Sequence, residues 1–129
     1  MTKKSKKLGI ILFDVDNFKD INDTHGHLER DAVLKLVSQV LREVYEYPKY
    51  NIYRIGGDEF AVIGKDVTEE EIIQQLIYFR NKLLSEREIY VSVGYSEIKG
   101  DFDTAFKHAD EMLYADKASR KIPFERSVH

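Results

Sequence analysis

Leu8-Gly9-Ile10-Ile11-Leu12-Phe13 is apolar without a break and stops at Asp14. A strand with one wet face alternates apolar and polar residues, so an unbroken apolar run reads as a strand buried on both faces. Such a strand lies inside a sheet with helices packed on each side. Two further short β-prone runs, Ile52 to Ile55 and Phe60 to Ile63, flank Gly56-Gly57-Asp58-Glu59 and predict a hairpin with a Gly-Gly turn. Tyr90-Val-Ser-Val-Gly-Tyr95 alternates as a further strand does.

The intervening segments read as helices. Phe18 to about Thr24 is a short helix broken at Gly26. From Asp31 to about Tyr45, Leu34, Val37, Leu41 and Val44 recur at helical spacing, and Pro48 ends the segment. Thr68 and Glu71 form a capping-box pattern ahead of Ile72, Ile73, Leu76, Ile77, Leu83 and Leu84. Asp103 to about Arg120 predicts a last helix with Ala105, Ala109, Met112 and Leu113 inward, closed by Pro123 and followed by a short strand. The order strand, helix, helix, hairpin, helix, strand, helix predicts an α/β (α+β) sandwich of helices on a mixed sheet.

The chain has 129 residues, 43% hydrophobic and 33% charged, which is the balance of one soluble globular domain. No apolar run approaches the roughly 20 residues of a membrane helix, so direct membrane contact is not expected. No cysteine is present, which excludes disulfide scaffolds, thiol nucleophiles and Cys-ligated zinc. A net charge of −3 argues against a dedicated nucleic-acid binder. Lys3, Lys4, Lys6 and Lys7 crowd the start, read as a solvated and disordered stretch over 1–7. No signal-peptide pattern follows them, so a cytoplasmic setting is expected.

Three carboxylates stand at ends of elements: Asp14 where the first strand stops, Asp58 and Glu59 at the hairpin tip. Such oxygens suit a hard cation, although acids also belong in turns and helix starts. Two adjacent acids exceed what a Gly-Gly turn needs, and glycines allow a bulky ligand to approach the backbone. Asp16 and Asn17 precede a helix whose first N–H groups have no internal partner, which suits phosphate as well as simple capping. Asn22 and Asp31 carry the groups that read a base edge, or else serve as a cap and a helix-start acid. Lys117, Arg120 and Lys121 at the last helix end neutralise either phosphate or the helix terminus. His25 and His27 flank Gly26 without a metal-ligand spacing.

Taken together, Asp14-Val-Asp-Asn-Phe-Lys-Asp-Ile-Asn-Asp23, Gly26-His27 with Asp31, and Arg54-Ile-Gly-Gly-Asp-Glu-Phe60 closely resemble the GGDEF family of diguanylate cyclases. Val91 to Tyr95 and Ala109 to Lys117 resemble that family's later strand and last helix, so the likeness spans about 8–121. It implies a nucleotide cyclase or palm-like fold, with a mixed sheet of about five strands, forming a single domain over 1–129. It implies an enzyme that joins two GTP into cyclic di-GMP with Mg²⁺ (or Mn²⁺), as a two-fold pair of domains. By motif position, Asp14, Glu59, Asp58 and the Val15 carbonyl hold metal, and Asp58 also serves as base. Gly56 and Gly57 admit the nucleotide, and the N–H groups of Asn17, Phe18 and Lys19 meet phosphate. Asn22 and Asp31 read guanine, and Lys117 and Lys121 contact phosphate.

Departures from the family pattern sharpen these expectations. Arg30 replaces the usual glycine beside the guanine-reading aspartate, and Lys121 replaces an arginine, which loses a bidentate fork. The feedback motif Arg-x-x-Asp would fall on Tyr47-Pro48-Lys49-Tyr50 and is absent, so no product inhibition through it is expected. The family's upstream helix and Asp-x-Leu-Thr-Gly-Leu-x-Asn-Arg segment, which helps wall the nucleotide pocket, have no counterpart in the seven residues before Leu8; the expectation is either weakened GTP binding or an excised fragment of a longer protein with a sensor or regulatory domain. The alternative to an enzyme is a catalytically weak or inactive module that binds GTP and serves a regulatory role.

Overall fold

The apolar run at the start becomes the centre of the molecule in a computed structural model, which describes residues 7–16, 18–87 and 89–128, with side chains outside 18–25 and 120–128. Strand β1 spans Leu8–Val15, and helix α1 spans Phe18–Val44. Strands β2 (Tyr50–Arg54) and β3 (Glu59–Lys65) form the hairpin. Helix α2 (Glu69–Arg87), strand β4 (Val91–Ile98) and helix α3 (Phe102–Val128) complete the order. The sheet order is β2-β3-β1-β4, and every neighbouring pair is antiparallel.

Side chains alternate along β1 between two cores. Ile11, Phe13 and Val15 enter the larger one, with Val33, Val37 and Leu41 of α1 and Ile72, Leu76, Phe79 and Leu83 of α2. Ile10 and Leu12 enter the smaller one, with Ala61, Ala105, Ala109 and Leu113. Burial on both faces is therefore what removes polar residues from this strand. Edge-to-face stacking of Phe13 on Tyr45 and on Phe79 gives the larger core its rigid centre.

α3 lies unusually close to β4. A Cβ at Gly94 would stand 1.9 Å from the Ala109 carbonyl oxygen and 2.5 Å from the Leu113 nitrogen. Only glycine lets that helix backbone settle on the strand. At the outer edge of β4, side chains take the backbone groups that no strand meets. Arg80 donates to the Val91 carbonyl (3.2 Å), the Val93 N–H donates to Asp116 (2.9 Å), and the Tyr95 N–H donates to the Met112 sulfur (3.4 Å).

The structure corrects several details of the sequence reading. The sheet has four strands among the described residues and is wholly antiparallel, not five-stranded and mixed. The expected last strand is absent because α3 continues through Pro123, whose fixed φ is helical and which forfeits one backbone hydrogen bond. The break expected at Gly26 is present: its backbone is non-helical (φ 86°, ψ −178°), in the positive-φ region that favours glycine, and it separates two helical segments within α1. The hairpin has no two-residue turn. Ile55 to Asp58 form a wider loop closed by the Ile55 N–H on the Glu59 carbonyl at 3.0 Å. In α2 the buried stripe is Ile72, Leu76, Phe79 and Leu83, whereas Ile73, Ile77, Leu84 and, on α3, Met112 are exposed.

Candidate active site at the ends of β1 and β3

Pairing of β1 with β3 sets Asp14 directly opposite Glu59. The Val15 N–H donates to the Asp58 carbonyl at 3.0 Å, which pins the hairpin tip to the end of β1. Arg54 braces the loop from the other side, donating to the Gly56 carbonyl (3.2 Å) and the Gly57 carbonyl (2.8 Å). Asp14 and Glu59 thus stand on paired residues of adjacent strands, with Asp58 in the loop beside them.

Asp14 is 6% exposed, and its Oδ2 accepts from Lys117 Nζ at 2.6 Å. Its Oδ1 is buried with no hydrogen-bond partner. Burial lifts the Asp14 carboxyl above its ordinary value; the Lys117 bond opposes that rise, and the charge of Asp58 adds to it. Burial likewise lifts Glu59, helped by the charges of Asp14, Asp58 and Asp110. For Lys117, burial is the largest single influence and pulls downward. The Asp14 bond and the charges of Asp14, Asp16 and Asp58 outweigh it and keep the ammonium above its ordinary range.

Two carboxyls that resist ionisation, Asp14 and Glu59, with an orphaned buried oxygen on Asp14, have the donor chemistry of a hard divalent cation site. Among the described residues no three His, Asp or Glu side chains converge closely enough to hold a metal by themselves. Lys117 supplies the positive charge on Asp14 in this arrangement.

The neighbouring turn is fixed by Asp16, whose N–H donates to the Tyr90 carbonyl (2.8 Å) and whose Oδ1 accepts from the buried Ser92 hydroxyl (2.5 Å). Phe18 and Lys19 are the first residues of α1, so their backbone stands beside the acids in sequence. Asn17 lies outside the described residues, as do the side chains of Phe18, Lys19, Asn22 and Lys121. Asp31 is exposed, and Arg30 Nε stands 4.0 Å from its Oδ1.

Sequence reasoning missed Arg54, Ser92 and Asp16 as braces of this site. A cation two residues before Gly-Gly and a small hydroxyl inside an apolar strand were the available signals.

The fold and the acids on adjacent strand ends define the nucleotide cyclase, palm-like class. The chain matches the family model described as "Diguanylate cyclase, GGDEF domain" over residues 1–122, and it belongs to that family. It is 39% identical over 111 residues to the probable diguanylate cyclase DgcI of Escherichia coli strain K12, covering 84% of this chain and 25% of that protein. It is 32% identical over 141 residues to an uncharacterized membrane protein of Staphylococcus epidermidis, covering 98% of this chain and 39% of that protein. The chain therefore spans well under half the length of these curated relatives. Among the described residues no helix is long and apolar enough to cross a membrane.

Two solved structures superpose closely. The GGDEF domain of DgcB from Caulobacter crescentus in complex with c-di-GMP gives a TM-score of 0.82 at 29% identity, covering 88% of this chain and 74% of that one. The active GGEEF domain of a diguanylate cyclase from Vibrio cholerae gives 0.78 at 27% identity, covering 90% and 78%.

Proposed function

We propose that this chain is a diguanylate cyclase domain that condenses two GTP into cyclic di-GMP and releases two pyrophosphates. The observation that carries the reading is the Asp14, Asp58 and Glu59 group, held on adjacent strand ends with Lys117 as its counter-ion, in a member of this family. Asp14, Glu59, Asp58 and the Val15 carbonyl would hold Mg²⁺ or Mn²⁺. The chemistry a bound ion would supply there is acidification of the attacking 3′-hydroxyl and stabilisation of the leaving pyrophosphate.

The chain's own residues do the rest. Asp58 accepts the proton of the 3′-hydroxyl, whose oxygen forms the new bond to the α-phosphorus as the bond to pyrophosphate breaks. Lys117 and Lys121 offset charge on the phosphates, and the N–H groups of Asn17, Phe18 and Lys19 orient the terminal phosphates at the start of α1. Gly56 and Gly57 leave room for the nucleotide, and a Cβ at Gly57 would meet nothing within 4 Å. Asn22 and Asp31 read guanine. The product has two-fold symmetry, so two copies of the domain meet face to face. The substrate GTP sets the reaction in the cytoplasm, under a sensor or regulatory part of a longer parent protein.

Incubating the purified chain at high concentration with GTP and Mg²⁺ tests this. Cyclic di-GMP is expected, and it disappears in Asp58→Ala and Glu59→Ala. A folded chain that gives no product refutes the enzyme reading. One observation favours the alternative of a GTP-binding regulatory module: Arg30 Nε stands 4.0 Å from Asp31 Oδ1, a cation beside the carboxylate that this reading assigns to guanine. GTP with Mg²⁺ would then raise the melting temperature without turnover.

A further inference from the structure

Asp116 has no part in the reaction as described, yet its carboxylate is anchored twice. Oδ2 accepts the Val93 N–H at 2.9 Å and the Arg80 guanidinium at 2.9 Å. Arg80 also donates to the Val91 carbonyl at 3.2 Å. One side chain thus ties α3 to both β4 and α2, through charge-assisted bonds stronger than neutral ones.

The tether sits at the level of the acids. Val93 pairs with Phe13, and Asp14 is the next residue of β1. Lys117 is the next residue of α3 and reaches Asp14 at 2.6 Å. Neighbouring helical residues point about 100° apart, so Asp116 addresses the strand edge while Lys117 addresses the strand end. A lysine is a point charge on a flexible stem, so its aim depends on where the helix backbone is held. Ala109 and Leu113 against Gly94 hold that backbone on its earlier turns, and Asp116 holds it beside Lys117.

We propose that Asp116 is a positioning residue that sets Lys117 for the nucleotide phosphates through its grip on Val93 and Arg80. The inference rests on the reading of Lys117 as a phosphate contact, and Asp116 itself touches no substrate.

Dissociation constants for GTP and for guanosine, with Mg²⁺ present, test it in wild type, Asp116→Ala, Lys117→Ala and the double variant. Asp116→Ala is expected to weaken GTP roughly tenfold, the worth of one charge-assisted hydrogen bond. Guanosine affinity stays unchanged, and the loss vanishes when Lys117 is already alanine. Asp116→Asn keeps an acceptor for the Val93 N–H and recovers part of the loss. If Asp116→Ala does not fold, Asp116→Asn carries the same cycle, with a smaller loss that again vanishes without Lys117. Equal losses for GTP and guanosine, a loss that persists without Lys117, or no loss at all overturns the proposal. A wild-type chain that binds no GTP overturns the nucleotide reading and this inference with it; GTP binding with a failed cycle overturns the inference alone.

Discussion

Gly94→Ala puts the packing argument and the site argument under one measurement. The added Cβ would lie 1.9 Å from the Ala109 carbonyl oxygen and 2.5 Å from the Leu113 nitrogen. Both are backbone atoms of α3, so no side chain can turn aside. Restoring a contact of about 3 Å requires α3 to retreat by roughly 1 Å, an overpacking strain of about 3 kcal/mol. For a domain of this size that lowers the melting temperature by about 10 °C. The same retreat stretches the Lys117–Asp14 contact from 2.6 Å to beyond hydrogen-bond reach, so GTP binding falls with stability. Gly57→Ala is the control. Its Cβ meets nothing within 4 Å, and stability should change by less than about 0.5 kcal/mol. Thermal and urea denaturation of both variants decide the matter. A Gly94→Ala protein melting within about 2 °C of wild type, or a Gly57→Ala protein equally damaged, would refute the reasoning.

Three other outcomes are expected. Asp14 and Glu59 have folded-state pKa values above their ordinary ones, so the stability they contribute is complete below those ordinary values and is lost as pH rises through the folded ones. Mg²⁺ should therefore raise the melting temperature more at pH 8 than at acid pH, and Asp14→Asn with Glu59→Gln should abolish the difference; a shift independent of pH counts against the metal assignment. Thr68→Ala removes the acceptor of the Glu71 N–H at the start of α2 (3.1 Å) and should cost about 1 kcal/mol in urea denaturation. Asp31→Ala should narrow the preference for GTP over ATP by roughly tenfold or more in competition binding, and an unaltered ratio removes Asp31 from base reading.

Much of the architecture was legible because it is local. The apolar run of β1, the hairpin around Gly-Gly and the Thr68 cap each follow from neighbouring residues, and each appears where it was expected. Partner choice is not local. Nothing near β1 says that β3 and β4 flank it antiparallel. In α2, Ile73 and Ile77 are as apolar as Ile72 and Leu76. Only the helix's orientation on the sheet decides that Phe79 goes inside and they do not. The acids of the site were legible as a motif, whereas the Lys117–Asp14 pair joins residues 103 apart and Arg80–Asp116 joins residues 36 apart. Such pairs exist only once the chain has folded.

The side chains that meet the outer rim of β4 have a consequence away from catalysis. An edge strand with free backbone groups is a template for strands of other molecules. Here a guanidinium, a carboxylate and a thioether occupy those groups at Val91, Val93 and Tyr95. That rim of the sheet is therefore closed to an added strand, which leaves β2 as the sheet's other edge.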